Sequence, residues 1–232
     1  MRVLVIQNYQ NTGLGQVRRA LEEAGAEIDT REVFAGDALP HSAEGYDALI
    51  ALGGAQNALD DEKYPYIPAL LDLIREFQER DRSVLGICLG SQLVARAYGG
   101  ANIIGGAPEF GWRRIALTDD AREDAVLGSL PADFPIFQWH DDTFTLPEGA
   151  IRLASSEAAA NQAFRIGRAT YGMQFHFEAD RALVDQWNVV AAETIAARHP
   201  DWPERHPKDA ATYGPEADAT GLAIARAWVA TI

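Results

Sequence analysis

Strand-like and helix-like runs alternate through the first hundred residues, and that alternation constrains the fold more than any other feature of the chain. RVLVIQ (residues 2–7) reads as a buried strand and NTGLG (11–15) as the loop after it. Leu14, Val17, Leu21 and Ala24 then recur at helical spacing until Gly25 stops the helix. AEIDTREVF (26–34) and YDALIALGG (46–54) read as second and third strands, and Ile67, Leu70, Leu71, Ile74 and Phe77 form one helix stripe. SVLGI (83–87) is a fourth strand, followed by a helix over SQLVARAY (91–98). Such alternation implies an α/β fold, a mostly parallel sheet covered by helices on both faces.

The pattern changes near Ile103. WRRIALT, FPIFQW, IRLASS, QAFRIG and TYGMQFHF are short β-like runs set apart by Gly, Pro and Asp turns. Residues 180–199 return to helix, 200–219 read as a polar, proline-bearing connector, and 219–232 as a last helix. The expected organisation is a catalytic unit over 1–185 with a helical extension, 186–232, packed on it. Trp187, Trp202, Tyr213 and Trp228 are the side chains expected to dock that extension.

Composition narrows the function classes. A formal charge of −14 with scattered Lys and Arg argues against a nucleic-acid or anionic-membrane surface. A single cysteine in 232 residues excludes an intramolecular disulfide and fits a reducing compartment. MRVLVIQNY reads as a strand rather than a signal peptide, and no apolar run approaches the roughly 20 residues needed to cross a bilayer. A soluble cytoplasmic protein is the expectation, with no metal and no cofactor implied. His199 and His206, near Asp201 and Glu204, lack metal-site spacing and read as a solvated loop. NTGLGQ lacks the rest of a dinucleotide fingerprint.

The lone cysteine, Cys88, falls between a strand and a helix and is flanked by Gly86 and Gly90. In open α/β sheets reactive groups collect at the carboxyl ends of strands. There the positive end of the following helix favours thiolate over thiol. The alternative, a buried structural cysteine, carries no such requirement for flanking glycines. A thiolate nucleophile needs an oriented histidine. Three of the five histidines have a carboxylate two positions on: His140 with Asp142, His176 with Glu178 and His199 with Asp201. If GMQFHFE continues a strand, His176 and Glu178 share a face and the carboxylate can hold the imidazole in one tautomer. His199 at a helix end is explained by a cationic side chain there. His140, before a turn in FQWHDDTFTLP, competes as base or as a substrate contact.

Assembled, these residues resemble the class I (triad) glutamine amidotransferases. GICLGSQ is similar to their G-x-C-x-G-x-Q nucleophile motif and GMQFHFE to their Q-F-H-x-E motif. LIALGG, EFGW (109–112) and WHDDTFTLP match further segments, the last one like the GMP-synthetase type. The motifs occur in order across about residues 1–180. The resemblance implies a flavodoxin-like fold with Cys88, His176 and Glu178 as the triad. It assigns the oxyanion donors to the backbone N–H groups of Gly54 and Leu89, and glutamine contacts to Gln92, His140 and Asp141. It also implies a separate synthetase or acceptor partner, because no such domain follows. Ala55 and Phe177 stand where relatives often carry proline, and both lie beside the implied chemistry. Two alternatives stay open: a hydrolase of γ-glutamyl amines or peptides, and a non-catalytic relative. CLGSQ is closer to the synthetase-associated forms than to the C-R-G-x-Q of γ-glutamylamine hydrolases.

Overall fold

Val3 and Val5 point to one side of the first strand and Leu4 and Ile6 to the other, and all four are fully buried. That two-sided burial marks an inner strand of a sheet covered on both faces. The computed structural model describes all residues 1–232. Its elements are β1 (Arg2–Gln7), α1 (Gly15–Glu23), β2 (Glu27–Glu32), β3 (Ala48–Ala51), α2 (Ile67–Glu79), β4 (Ser83–Ile87), α3 (Leu89–Ala97) and β5 (Asn102–Ile103). They continue with β6 (Glu109–Leu117), β7 (Asp133–His140), β8 (Thr143–Phe144), β9 (Ile151–Ser155), β10 (Ala163–Ile166) and β11 (Thr170–Met173). Three helices close the chain: α4 (Arg181–Val190), α5 (Ala192–Arg198) and α6 (Trp202–Val229).

Nine strands form one sheet in the order β2-β1-β3-β4-β11-β10-β9-β6-β7. It is parallel from β2 through β11 and antiparallel beyond. Leu4, Ile6, Leu49 and Val84 pack with α2 and α3 on one face, and Val3, Val5, Ile50 and Leu85 pack with α1, α4 and α6 on the other. The expected α/β architecture is the observed one. Its consequence for the site is that β3, β4 and β11 are adjacent and all end at the same edge. No helix is long and apolar enough to cross a membrane.

Four expectations need correction. The helix read over 180–199 is two helices, α4 and α5, meeting at Ala191, which is off helical geometry at φ −115°. The connector read over 200–219 is helical: α6 runs unbroken through Pro207 and Pro215. Proline costs a helix interior about 3 kcal/mol, but this helix is anchored by Trp202 and Trp228, 2% and 0% exposed. Burial of such side chains outweighs the local penalty. The strand read through His176 stops at Met173, and Phe177 and Glu178 lie in a turn joined to β7 by an isolated bridge from His176 to Phe137. The second strand is shorter than 26–34, ending at Glu32 before a single helical turn over Val33–Ala35.

Candidate active site

The turn after β4 is built around two glycines. A Cβ on Gly90 would lie 1.9 Å from the Ala51 carbonyl oxygen, and one on Gly86 would lie 2.3 Å from the Gly90 oxygen. Only bare backbone fits between β3, β4 and the start of α3. The turn forces Cys88 to φ 53°, ψ −110°, a conformation that costs a non-glycine residue about 1–3 kcal/mol. Its N–H donates to the Met173 carbonyl at the end of β11 (2.8 Å), and its Sγ faces the Trp139 carbonyl at 3.7 Å.

The end of β11 brings His176 to the same place. A Cβ added to Gly53, just beyond β3, would lie 3.4 Å from His176 Cε1 and 3.5 Å from Cys88 Cβ, so both side chains border one point. Nδ1 of His176 lies 2.6 Å from Glu178 Oε1, and both side chains are buried. Burial pulls the imidazole down, but the charges of Glu178 and Cys88 outweigh it and hold His176 well above its ordinary value. Trp187 packs edge-on against the His176 ring, 5.1 Å between centroids, and its indole N–H donates to the Asn11 carbonyl.

Gly54 and Leu89 adjoin: a Cβ on Gly54 would lie 2.9 Å from Leu89 Cδ2. The Gly54 N–H donates to no acceptor within the protein, and Leu89 opens α3, ahead of the helix's first internal bond. Asn8 and Gln56 brace this loop. Asn8 Nδ2 donates to the Leu52 carbonyl and Gln56 Nε2 to that of Asn8. Gln92 lines the pocket and donates to Gln174 Oε1 at 3.2 Å.

His140 also lines the pocket, but its ring is engaged elsewhere. Nδ1 lies 3.1 Å from the Asp142 carbonyl and Nε2 lies 3.3 Å from Glu109 Oε2. Glu109 in turn accepts from Ser156 and Gln162. With oxygen acceptors at both ring nitrogens, His140 offers no lone pair to a thiol. The Asp141 carboxylate is paired with Arg198 at 2.6 Å. His199 stacks flat on Phe110, 4.0 Å between centroids. Burial and the neighbouring Arg198 push its pKa down, the opposite of the cationic helix-end role expected for it.

These groups open into one pocket of about 340 Å³. Its outer wall includes Trp187, Val190, Ala191, Thr194 and Arg198 from α4 and α5. The sequence presents this helical face as docking surface. The spacing of its residues is visible there, but nothing in it distinguishes a face against a core from one against a cavity. Gln56, held by Tyr66 and Asn8, also escapes sequence reasoning, because a loop glutamine carries no local signal.

A cysteine on a strained strand–helix turn, opposite a carboxylate-bound histidine, defines a class of thiol-dependent α/β hydrolase folds. The chain belongs to the class I glutamine amidotransferase family: the family profile "Glutamine amidotransferase class-I" matches residues 4–186. It is 32% identical over 181 residues to the glutamine amidotransferase-like protein YfeJ of Salmonella typhimurium, covering 77% of this chain and 76% of that one. It is 33% identical over 180 residues to the glutamine-hydrolyzing component of the GMP synthase of Natronomonas pharaonis, covering 76% of this chain and 88% of that one. The crystal structure of a glutamine amido transferase from Methylobacillus flagellatus superposes with a TM-score of 0.89 at 28% identity, covering 100% of this chain and 95% of that one.

Proposed function

We propose that the protein hydrolyses the side-chain amide of glutamine. The observation that carries this reading is Cys88, held in a strained turn, beside a buried His176 whose Nδ1 is bound to Glu178. Cys88 Sγ attacks the amide carbon, forming an S–C bond and placing negative charge on the carbonyl oxygen. The N–H groups of Gly54 and Leu89 receive that charge; losing one such donor typically costs about 10²–10³ in turnover. His176 passes its proton to the leaving nitrogen as the C–N bond breaks, ammonia departs, and a glutamyl thioester remains. His176 then takes a proton from water, which attacks the thioester and releases glutamate. Glu178 keeps the imidazole in the orientation this needs. Gln92, His140 and Asp141 are the contacts for the amino-acid end of the substrate.

Residues 1–185 form the catalytic unit, and 186–232 are an extension belonging to that unit, since α4 crosses the boundary and Trp187 touches His176. The name of the GMP synthase relative supports a further step, delivery of ammonia to a separate synthetase-type partner. A second reading is favoured by the wall from α4 and α5, largely beyond the segment matched by the family profile. A pocket of this width takes a γ-glutamyl amide whose leaving amine is larger than ammonia. The test is glutamate release from glutamine and from a series of γ-glutamyl amines and peptides, with Cys88→Ala as control. Hydrolysis retained in Cys88→Ala sinks the nucleophile assignment, and absence of release from every compound, with and without candidate synthetases, favours a non-catalytic relative.

A further inference from the structure

The turn carrying His176 and Glu178 has no strand partner to set its shape, and the Glu178 side chain does little to orient itself. Its Oε1 is bound to His176, while its Oε2 is buried with no partner. The aim of the carboxylate therefore comes from the backbone, and three other elements hold that backbone. The His176 N–H donates to Phe137 of β7 at 2.9 Å. The Glu178 carbonyl accepts the N–H of Gln16, in the first turn of α1, at 2.8 Å. Between them, the Phe177 carbonyl accepts the Gln16 side chain at 3.1 Å.

The third element is α6. At Gly221 the helix presses bare backbone onto that last contact: a Cβ there would lie 2.3 Å from the Phe177 oxygen and 2.5 Å from Gln16 Nε2. Both distances are far inside van der Waals contact. The helix cannot slide to make room, because it is tied by Arg226 to Glu23 of α1, by Asp218 to Arg181 of α4, and by buried Trp202 and Trp228.

We infer that α6 is part of the catalytic device: Gly221, together with Gln16, clamps the Phe177 carbonyl and thereby sets the His176–Glu178 pair against Cys88. Gly221 and Gln16 are positioning residues. This rests on the catalytic reading above, and it gives the C-terminal helix a role beyond covering the sheet.

The test compares two glycines of the same helix in the full chain. Gly221→Ala must displace the Phe177 carbonyl. In Gly214→Ala the new methyl meets only the aliphatic arm of Arg181, which can move. Alanine is the better helix former at both sites, so a loss of activity is not a weakened helix. Misplacing a reacting group by about 1 Å can cost about 10²-fold. Gly221→Ala is expected to lower kcat by about ten- to hundredfold with KM within about twofold, whereas Gly214→Ala stays within about twofold of the parent in both. A second readout needs no substrate. Cys88 is the only cysteine, so its alkylation by iodoacetamide as a function of pH reports the Cys88–His176 pair alone. Gly221→Ala is expected to shift that curve and Gly214→Ala to leave it in place. A folded Gly221→Ala protein with the parent's kcat and alkylation curve overturns the inference. If Gly221→Ala does not fold, Gln16→Leu carries the same expectation in milder form, and parental behaviour there overturns it equally. A parent that hydrolyses nothing but whose alkylation curve responds to Gly221→Ala would sink the catalytic reading while leaving the clamp intact.

Discussion

The edge where β3, β4 and β11 end and the helical segment α4–α6 obey different rules. At the sheet edge, local sequence and tertiary structure agree. Gly86 and Gly90 sit where backbones approach too closely for a side chain, and Cys88 takes the strained position they create. In the helical segment they disagree. Pro207 and Pro215 lie inside one continuous helix, and a run of good helix formers breaks at Ala191. The contrast locates each region's stability. The edge depends on short-range steric fit, while the helices depend on burying aromatic rings: Trp202 packs against Phe110, Trp112 and Phe137 at centroid distances of 4.8, 5.9 and 6.0 Å.

Substitutions at the edge should therefore remove activity and spare the fold. Cys88→Ala is expected to lower turnover by about 10⁴-fold or more while relieving none of the packing around it, so its melting temperature should not fall. A marked loss of stability instead would mean that the thiol is a packing group and the edge no different from the core.

Glu178→Gln is the next largest. It keeps the shape of the side chain and removes its charge, and turnover should fall by about 10²-fold or more. The pH dependence has a definite sign. Burial works to lower the His176 pKa, yet the charges of Glu178 and Cys88 carry it above its ordinary value in the folded protein. Its contribution to stability is complete below the unfolded value and is lost as pH rises through the raised folded one. Removing the carboxylate lowers that folded value, so the alkaline limb of kcat/KM should move to lower pH. An NMR titration of the His176 ring in parent and variant checks the direction. An unmoved limb would assign it to a group other than His176.

Much of the edge is legible in the sequence because its constraints are local: a glycine-flanked cysteine after a strand, and a histidine with a carboxylate two residues on. The second signal is right for a reason the sequence does not show. Spacing alone suggests one face of a strand for His176 and Glu178, yet β11 ends at Met173, and the pair meets in a turn held by Phe137 and Gln16. The spacing is visible; the foreign elements that give it effect are not. The wall of the pocket is hidden for a related reason. Trp187, Val190 and Thr194 have helical spacing that suits a core as well as a cavity. Pro207 and Pro215 mislead because their penalty is local, whereas the rings that outweigh it lie far away along the chain.

Trp202→Ala tests the other side of the comparison. It empties a fully packed aromatic site and removes the indole bond to Asn188 (2.7 Å). A loss of about 3–5 kcal/mol is expected in urea unfolding. Because Trp202 lies toward the opposite end of α6 from Gly221, kcat of the folded fraction should fall far less than stability does. An equal collapse of both would make the helix and the edge one cooperative unit.

The smallest effect belongs to the surface tie between the regions, Glu23 of α1 with Arg226 of α6 at 2.7 and 2.8 Å. The hydrogen bond from Arg226 holds Glu23 down at about 2, against a slight opposing effect of burial. A depressed carboxylate contributes stability above its unfolded value of 4.5 and loses it as pH falls through about 2. Both partners are exposed, so the contribution is small and screened by salt. Melting of the parent and of Glu23→Gln should differ slightly near neutral pH, and the difference should shrink from pH 4.5 toward 2 and on addition of salt. A difference that ignores both pH and salt would mean that buried aromatic rings, and not charge, carry the whole attachment of α6 to α1 and, through it, the hold on the catalytic turn.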